Sequence, residues 1–96
     1  MAVDQNIAND IVNHVDNDHA STWYVGIATN PQTRLFQDHN VDKKYGRWIY
    51  RQAKSEADAR DTEQYLLKHY GFQGGPGGGD KPRFVYAYQI TATTRQ

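Results

Sequence analysis

The 96-residue chain contains no cysteine, one methionine and three prolines. Without cysteine, neither a disulfide framework nor a thiolate metal site can organise it. The same absence suits a reducing compartment. No apolar run approaches the roughly 18 residues that a membrane span requires. The opening MAVDQNIANDIVNH lacks the basic and apolar regions of a secretory signal. These absences predict a soluble, cytoplasmic protein with no membrane partner. At this length the expectation is one domain, 1–96, with one modest core.

Basic residues are also missing from one part of the chain. Residues 1–20 hold Asp4, Asp10, Asp16 and Asp18 and no lysine or arginine, a net −4. All 11 basic residues and the other seven acidic ones follow, leaving +4 and an overall charge of zero. The neutral total therefore conceals a segment that could face an anion, although ordinary surface charge gives the same count.

Periodicity predicts the order α-β-α-β-α-β. Val3, Ile7, Ile11 and Val15 recur every four residues, the mark of an amphipathic helix over 3–15. TWYVGIA is aromatic and β-branched, as strands are. Asn30-Pro31 supplies a cap and a first-turn proline for a helix over 31–40, with Leu35 or Phe36 pointing inward. RWIYRQA is a second strand. Ser55 caps a long helix that stops at Gly71, a residue suited to the left-handed position after a helix. FQGGPGGGDK is too glycine-rich for regular structure. PRFVYAYQITA is a third strand whose alternating face carries Phe84, Tyr86, Tyr88 and Ile90. The expected organisation is an acidic helix and turn at 1–20, a core at 21–70, a glycine-rich loop at 71–82 and a strand at 83–92. The fold class is a small α/β (α+β) domain, with a mainly antiparallel three-stranded sheet flanked by helices.

One constellation carries chemistry. A strand that breaks at Gly26 into a capped helix places Tyr24 near Arg34, one turn into the helix. Arginine can hold phosphate in a fork. Tyr24-Val25-Gly26, followed ten residues after the tyrosine by Arg34 and then by His39, resembles the signature of the GIY-YIG nuclease superfamily. Ala59, Glu63, Leu66 and Leu67 match the A-x-x-x-E-x-x-L-[IL] helix of that family. Residues 59, 63, 66, 67 and 70 share one helical face, where an acidic residue among apolar neighbours needs a partner. The resemblance covers Thr22 to Tyr70.

The family's first signature strand, G-[IV]-Y, has no counterpart before Tyr24. A permuted arrangement accounts for this: the C-terminal strand takes the missing strand's place, and Tyr86 or Tyr88 supplies the missing tyrosine. That arrangement requires residues 83–90 to pair with residues 22–28.

The resemblance implies a metal-dependent endonuclease that hydrolyses DNA phosphodiester bonds. It gives Glu63 a divalent cation, Mg²⁺ or Mn²⁺, and gives Arg34 the charge that develops on the phosphate. It implies that Tyr24, Tyr86 or Tyr88 orients or deprotonates the attacking water, with His39 as a proton shuttle. The alternative is a catalytically inactive module of the same fold that binds nucleic acid or a protein partner. DNA is the expected substrate, RNA the alternative, and a homodimer or protein partner would add specificity.

Each residue also has a plainer reading. Tyr24 suits half-buried packing, and Arg34 could lay its stem over Trp23 or Trp48. Glu63 could pair with Arg51 or Lys68, and His39 could meet a helix C-terminus. HVDNDH could hold a metal but better suits a polar turn. Lys43, Lys44, Arg47, Arg51 and Lys54 could track a phosphate backbone, with Tyr45 or Trp48 near a base. Strand alternation puts Arg47, Ile49 and Arg51 on one face and Trp48, Tyr50 and Gln52 on the other. A solvated edge that resists aggregation is the competing account of those cations.

Overall fold

The four-residue apolar repeat at the N-terminus forms α1, Gln5–Val15, in the computed structural model, which describes residues 3–16, 19–75 and 81–96. The Asp4 side chain caps it by accepting from the Ile7 amide at 3.1 Å. Ile7, Ala8, Ile11 and Val15 are buried against the sheet. A fully buried side chain of this size contributes about 1.5–3 kcal/mol, so α1 is part of the core rather than an appendage.

After a single 3₁₀ turn at 20–22, β1 runs Trp23–Ala28 with every residue buried. The Asn30 side chain then accepts from the Thr33 amide and Pro31 opens α2, Pro31–Thr33. The strand β2 spans Trp48–Gln52. Ser55 caps α3, Glu56–Tyr70, and Gly71 follows it at φ 77° in the left-handed region. The last strand, β3, spans Phe84–Gln89, shorter than the 83–92 expected.

Strand order is β1-β3-β2, all antiparallel. The C-terminal strand therefore fills the central position and pairs with β1 along its whole length, from Trp23↔Gln89 to Ala28↔Phe84. The glycine-rich segment adds a short parallel edge outside β1: Val25 N–H donates to Gln73 O and Gln73 N–H to Trp23 O, both at 2.9 Å.

Register fixes what each face carries. Tyr24, Tyr88 and Trp48 lie in one row and Gly26, Tyr86 and Tyr50 in the next. The opposite face carries Trp23, Val25, Ile27, Ile49, Val85 and Ala87, which pack with the buried residues of α1 and α3. One sheet face thus builds the aliphatic core. The other gathers tyrosines with Leu35, Val41 and Ala28. Among the described residues no helix is long and apolar enough to cross a membrane.

The helix expected over 31–40 departs from regular geometry. Its first three residues are α-helical, and Arg34–Asp38 form a π-helical turn. The His39 amide donates to Arg34 O at 2.8 Å, five residues back. In an α-helix those two positions would diverge by about 140° around the axis. A turn closed over five residues instead brings His39 onto the face of Arg34. Single π turns recur at functional sites. Leu35 is the inward residue and Phe36 is half-buried.

Candidate active site

The site lies on the tyrosine face of the sheet, where the π turn and the C-terminal tail meet. A cavity of about 340 Å³ is lined by Tyr24, Arg34, Asp38, His39, Gly74, Gly75 and Gln96. Tyr24 comes from β1, Arg34 and His39 from the π turn, and the glycines from the segment that edges β1. Tyr86 and Tyr88 do not line it; they lie behind His39 and reach the site through their bonds to that ring.

His39 is the hub. Its Nδ1 lies 2.6 Å from the Arg95 carbonyl oxygen and 3.0 Å from the Tyr88 hydroxyl, and its Nε2 lies 2.7 Å from the Tyr86 hydroxyl. A carbonyl can only accept, so Nδ1 carries the proton and Nε2 accepts from Tyr86. The Tyr88 hydroxyl also donates to Arg95 O at 3.1 Å. The tail is held there because Arg95 N–H donates to His39 O at 2.7 Å. Burial and, less strongly, the nearby Arg34 charge push the His39 pKa down. The imidazole is therefore neutral, with a basic nitrogen facing Tyr86.

Tyr86 is only 1% exposed, and burial pushes its hydroxyl up to about 12, against the pull of the Arg34 guanidinium beside it. Burial likewise raises Tyr88 and Tyr24. Tyr24 stacks on Tyr88 with centroids 5.2 Å apart and leans on His39 at 4.7 Å. The Gly75 amide donates to its hydroxyl oxygen.

Gly26 explains the room for this cluster. A Cβ at that position would sit 2.5 Å from the Tyr86 hydroxyl oxygen. The glycine of the Tyr-Val-Gly run is thus needed for the close approach of the Tyr86 ring. The requirement is spatial and not a matter of φ.

Arg34 holds Asp38 through Nη1 at 3.2 Å. Its Nε is buried and has no hydrogen-bond partner among the described residues. An unsatisfied buried donor is costly, so this Nε is a local cost of the packing; Arg34 as a residue lines the cavity. It does not lay its stem over a tryptophan; Arg47 takes that place on Trp23, at 5.1 Å.

Glu63 does not line this cavity. It lies on the buried stripe of α3 with Ala59, Thr62 and Leu66; Leu67 is only half-buried and Tyr70 is exposed, so the inward stripe turns toward Thr62. Glu63 is 8% exposed, and burial pushes its carboxyl pKa up, partly offset by Arg60 and by a Gln64 hydrogen bond. Neither Arg51 nor Lys68 bridges to it: Arg51 pairs with Asp10 at 3.1 Å. Its charge nonetheless acts on both Tyr24 and Tyr86, which also feel Arg34.

The basic residues divide. Arg47 donates to His14 O at 2.8 Å and Arg51 to Asp10, so both are engaged by the acidic helix α1. Lys43 and Lys44 are exposed on the turn after His39, with Lys43 Nζ 5.2 Å above the Phe36 ring. Lys54 is exposed just beyond β2. The turn HVDNDH lies partly outside the described residues, at 17 and 18, as does most of the glycine run, at 76–80.

Three participants had no motif to reveal them: the Arg95 carbonyl, the Gly75 amide and Asp38. Two are backbone groups, which any residue type supplies. Asp38 had a weak signal, its four-residue spacing from Arg34. Comparison with protein-family models, with curated proteins and with solved structures finds no match to this chain.

Proposed function

We propose that the protein is a metal-dependent endonuclease of GIY-YIG type acting on DNA phosphodiester bonds. The observation that carries this reading is the convergence of Tyr24, Arg34 and His39 on one cavity, with the Tyr86 hydroxyl bonded to His39 and under the influence of the Arg34 charge. Their types and placement suit an anionic, tetrahedral substrate.

Arg34, which lines the cavity, binds the phosphate and stabilises charge that develops on it. The Tyr24 hydroxyl faces the cavity with its oxygen held by Gly75, so its proton is free to orient the phosphate or the attacking water. Neutral His39 is the proton acceptor, reached through the Tyr86 hydroxyl, which gives its own proton to Nε2 as it takes one from water. A tyrosine with a raised pKa makes a poor lone base at neutral pH, and handing the proton to His39 avoids a free tyrosinate.

Glu63 fits a divalent cation in part. It is a buried carboxylate that forms none of the ion pairs among the described residues. One carboxylate, waters and substrate phosphate form a ligand set that Mg²⁺ accepts. Such an ion, Mg²⁺ or Mn²⁺, would supply Lewis-acid stabilisation of the phosphate.

A second reading is favoured by one observation, that Glu63 does not line the cavity. In it the same site grips nucleic acid, or a protein partner, without cutting. Incubation of plasmid and hairpin DNA with Mg²⁺, Mn²⁺ or EDTA separates the two. The nuclease cuts with metal and loses activity on Arg34→Ala or Glu63→Gln. Binding that is unaffected by Glu63→Gln, with no cutting in either metal, overturns the nuclease reading in favour of the second.

A further inference from the structure

The tyrosine face of the sheet does not end at the candidate active site. It continues across β2 as a half-buried strip of rings. Phe36 meets Trp48 edge-on at 5.0 Å, Trp48 stacks on Tyr50 at 6.0 Å and 9°, and Tyr50 meets Phe84 at 6.1 Å and 71°. The last two rings form a corner. They bound a cavity of about 280 Å³ that Thr29, Asn30, Pro31 and Gln32 close on the other side. We propose that this strip and corner seat unpaired bases of a single-stranded DNA segment, with one base in the corner beside the phosphate that Arg34 holds.

The proposal rests on the reading of the Arg34 site as a DNA phosphate site. Three observations carry it. The first is position: Tyr50 lies directly opposite Tyr86 in the β2–β3 register, and Gln32 is two residues from Arg34. The corner and the phosphate site are therefore neighbours on one face.

The second is chemistry. Two rings set at a steep angle offer a stacking face and an edge. The Gln32 side chain donates to the Tyr50 hydroxyl at 3.1 Å, which leaves its carbonyl as an acceptor at the rim. The Asn30 oxygen caps Thr33, which leaves its amide N–H groups as donors. A flat group with donors and acceptors along its edge matches that lining. The volume is slightly below the ~300 Å³ lower bound of ordinary small-molecule sites, as suits one base rather than a whole nucleoside polyphosphate.

The third is charge. With Arg47 and Arg51 drawn to the other face by α1, the cations beside the strip are Lys43 and Lys44. Their turn is ordered: Asp42 Oδ1 accepts from the Lys44 and Tyr45 amides, each at 2.9 Å. Trp48 Nε1 ties it to the strip by donating to Lys43 O at 3.1 Å. The turn presents Tyr45, 78% exposed, next to both lysines. Alternating rings and cations suit a strand whose bases stack while its phosphates are neutralised. Duplex bases hide their faces in the stack and gain nothing from such a strip.

The test is DNA binding in EDTA, where cutting is suppressed. A labelled single-stranded 12-mer and the duplex of the same sequence are titrated by fluorescence anisotropy, with tryptophan emission followed in parallel. Trp23 is fully buried on the opposite face, so quenching reports Trp48. The expected result is at least tenfold tighter binding of the single strand, with quenching. Tyr50→Ala should weaken that binding about tenfold, and Tyr50→Phe should largely restore it. Should Tyr50→Ala lose its fold by circular dichroism, Gln32→Ala on the exposed rim carries the test, with a weakening of a few-fold. Equal or tighter duplex binding, or folded variants that bind as the wild type does, overturns the proposal. Cleavage of duplex with no single-strand preference overturns the strip alone. Single-strand binding that is Tyr50-dependent, without cutting in Mg²⁺, supports the strip and overturns only the nuclease reading.

Discussion

The Tyr86 hydroxyl donates to Nε2 of His39 across 2.7 Å, although 47 residues separate them in the chain. The bond depends on three separate features. The π turn rotates His39 toward the sheet, β3 occupies the centre of that sheet, and the Arg95 carbonyl fixes the tautomer of the ring. Each is open to a direct experiment.

Gly26→Ala should disturb Tyr86 first. The added Cβ would lie 2.5 Å from the hydroxyl oxygen and 2.6 Å from Cζ. The ring must move, and overpacking of this kind costs about 1–3 kcal/mol. Urea denaturation should show that loss, and the Tyr86–His39 bond should weaken with it. Unchanged stability would mean the ring yields without cost.

His39 makes stability depend on pH in one direction. Its folded pKa lies below the usual 6.5, chiefly because of burial. A depressed value means the unfolded chain binds the proton more readily. The stabilisation is present above pH 6.5 and is lost as the pH falls through 6.5 toward the lower folded value. His14 is lowered too, by burial and Arg47, so the comparison must be with a variant. His39→Asn should show a smaller fall in urea midpoint between pH 7.5 and pH 5.5 than the wild type.

Glu63 has the opposite sign. Its carboxyl pKa is raised above 4.5, mainly by burial, so the folded protein disfavours the charge and gains stability as the pH falls through the raised value. Glu63→Gln removes the charge and keeps the shape. At pH 7 its Tm should rise above that of the wild type, and the difference should shrink as the pH falls through the raised value. If the carboxylate holds a cation for cleavage, the same variant loses metal-dependent cutting while its fold improves.

Arg34→Ala should leave the fold intact. The ion pair with Asp38 is solvent-accessible, with both side chains more than a third exposed, and pairs of that kind contribute little. The expected loss is functional: a drop of about 10²–10³ in DNA cleavage, with the thermal midpoint within a degree or two of the wild type. A variant that cuts normally would remove Arg34 from the site.

Much of this architecture was legible in the residues themselves. The four-residue repeat from Val3 to Val15, the Asn30-Pro31 start, the Ser55 cap and the Gly71 stop are local hydrogen-bonding and packing signals, and each marks an element that the structure contains. Alternation grouped Trp48 with Tyr50 along β2 and Phe84, Tyr86 and Tyr88 along β3, because a strand's side chains alternate with a period of two; the β2–β3 register then put the two groups on one sheet face. The expectation that 83–90 pairs with 22–28 also holds in the sheet.

Other features depend on contacts between distant residues, and no local pattern encodes them. The π turn follows a bond from His39 to Arg34 and a tail that docks through Arg95. Arg47 and Arg51 look free for an anion in the sequence, yet His14 and Asp10 take them because α1 packs across β2. Glu63 lies on the inward stripe of α3, as its spacing requires, but its position relative to the cavity depends on how that helix crosses β1. Short-range periodicity along the chain is enough to set the elements and the face each strand buries. Which side chains share the space around His39 follows from how the tail, the π turn and the central strand pack together, a matter of long-range contacts.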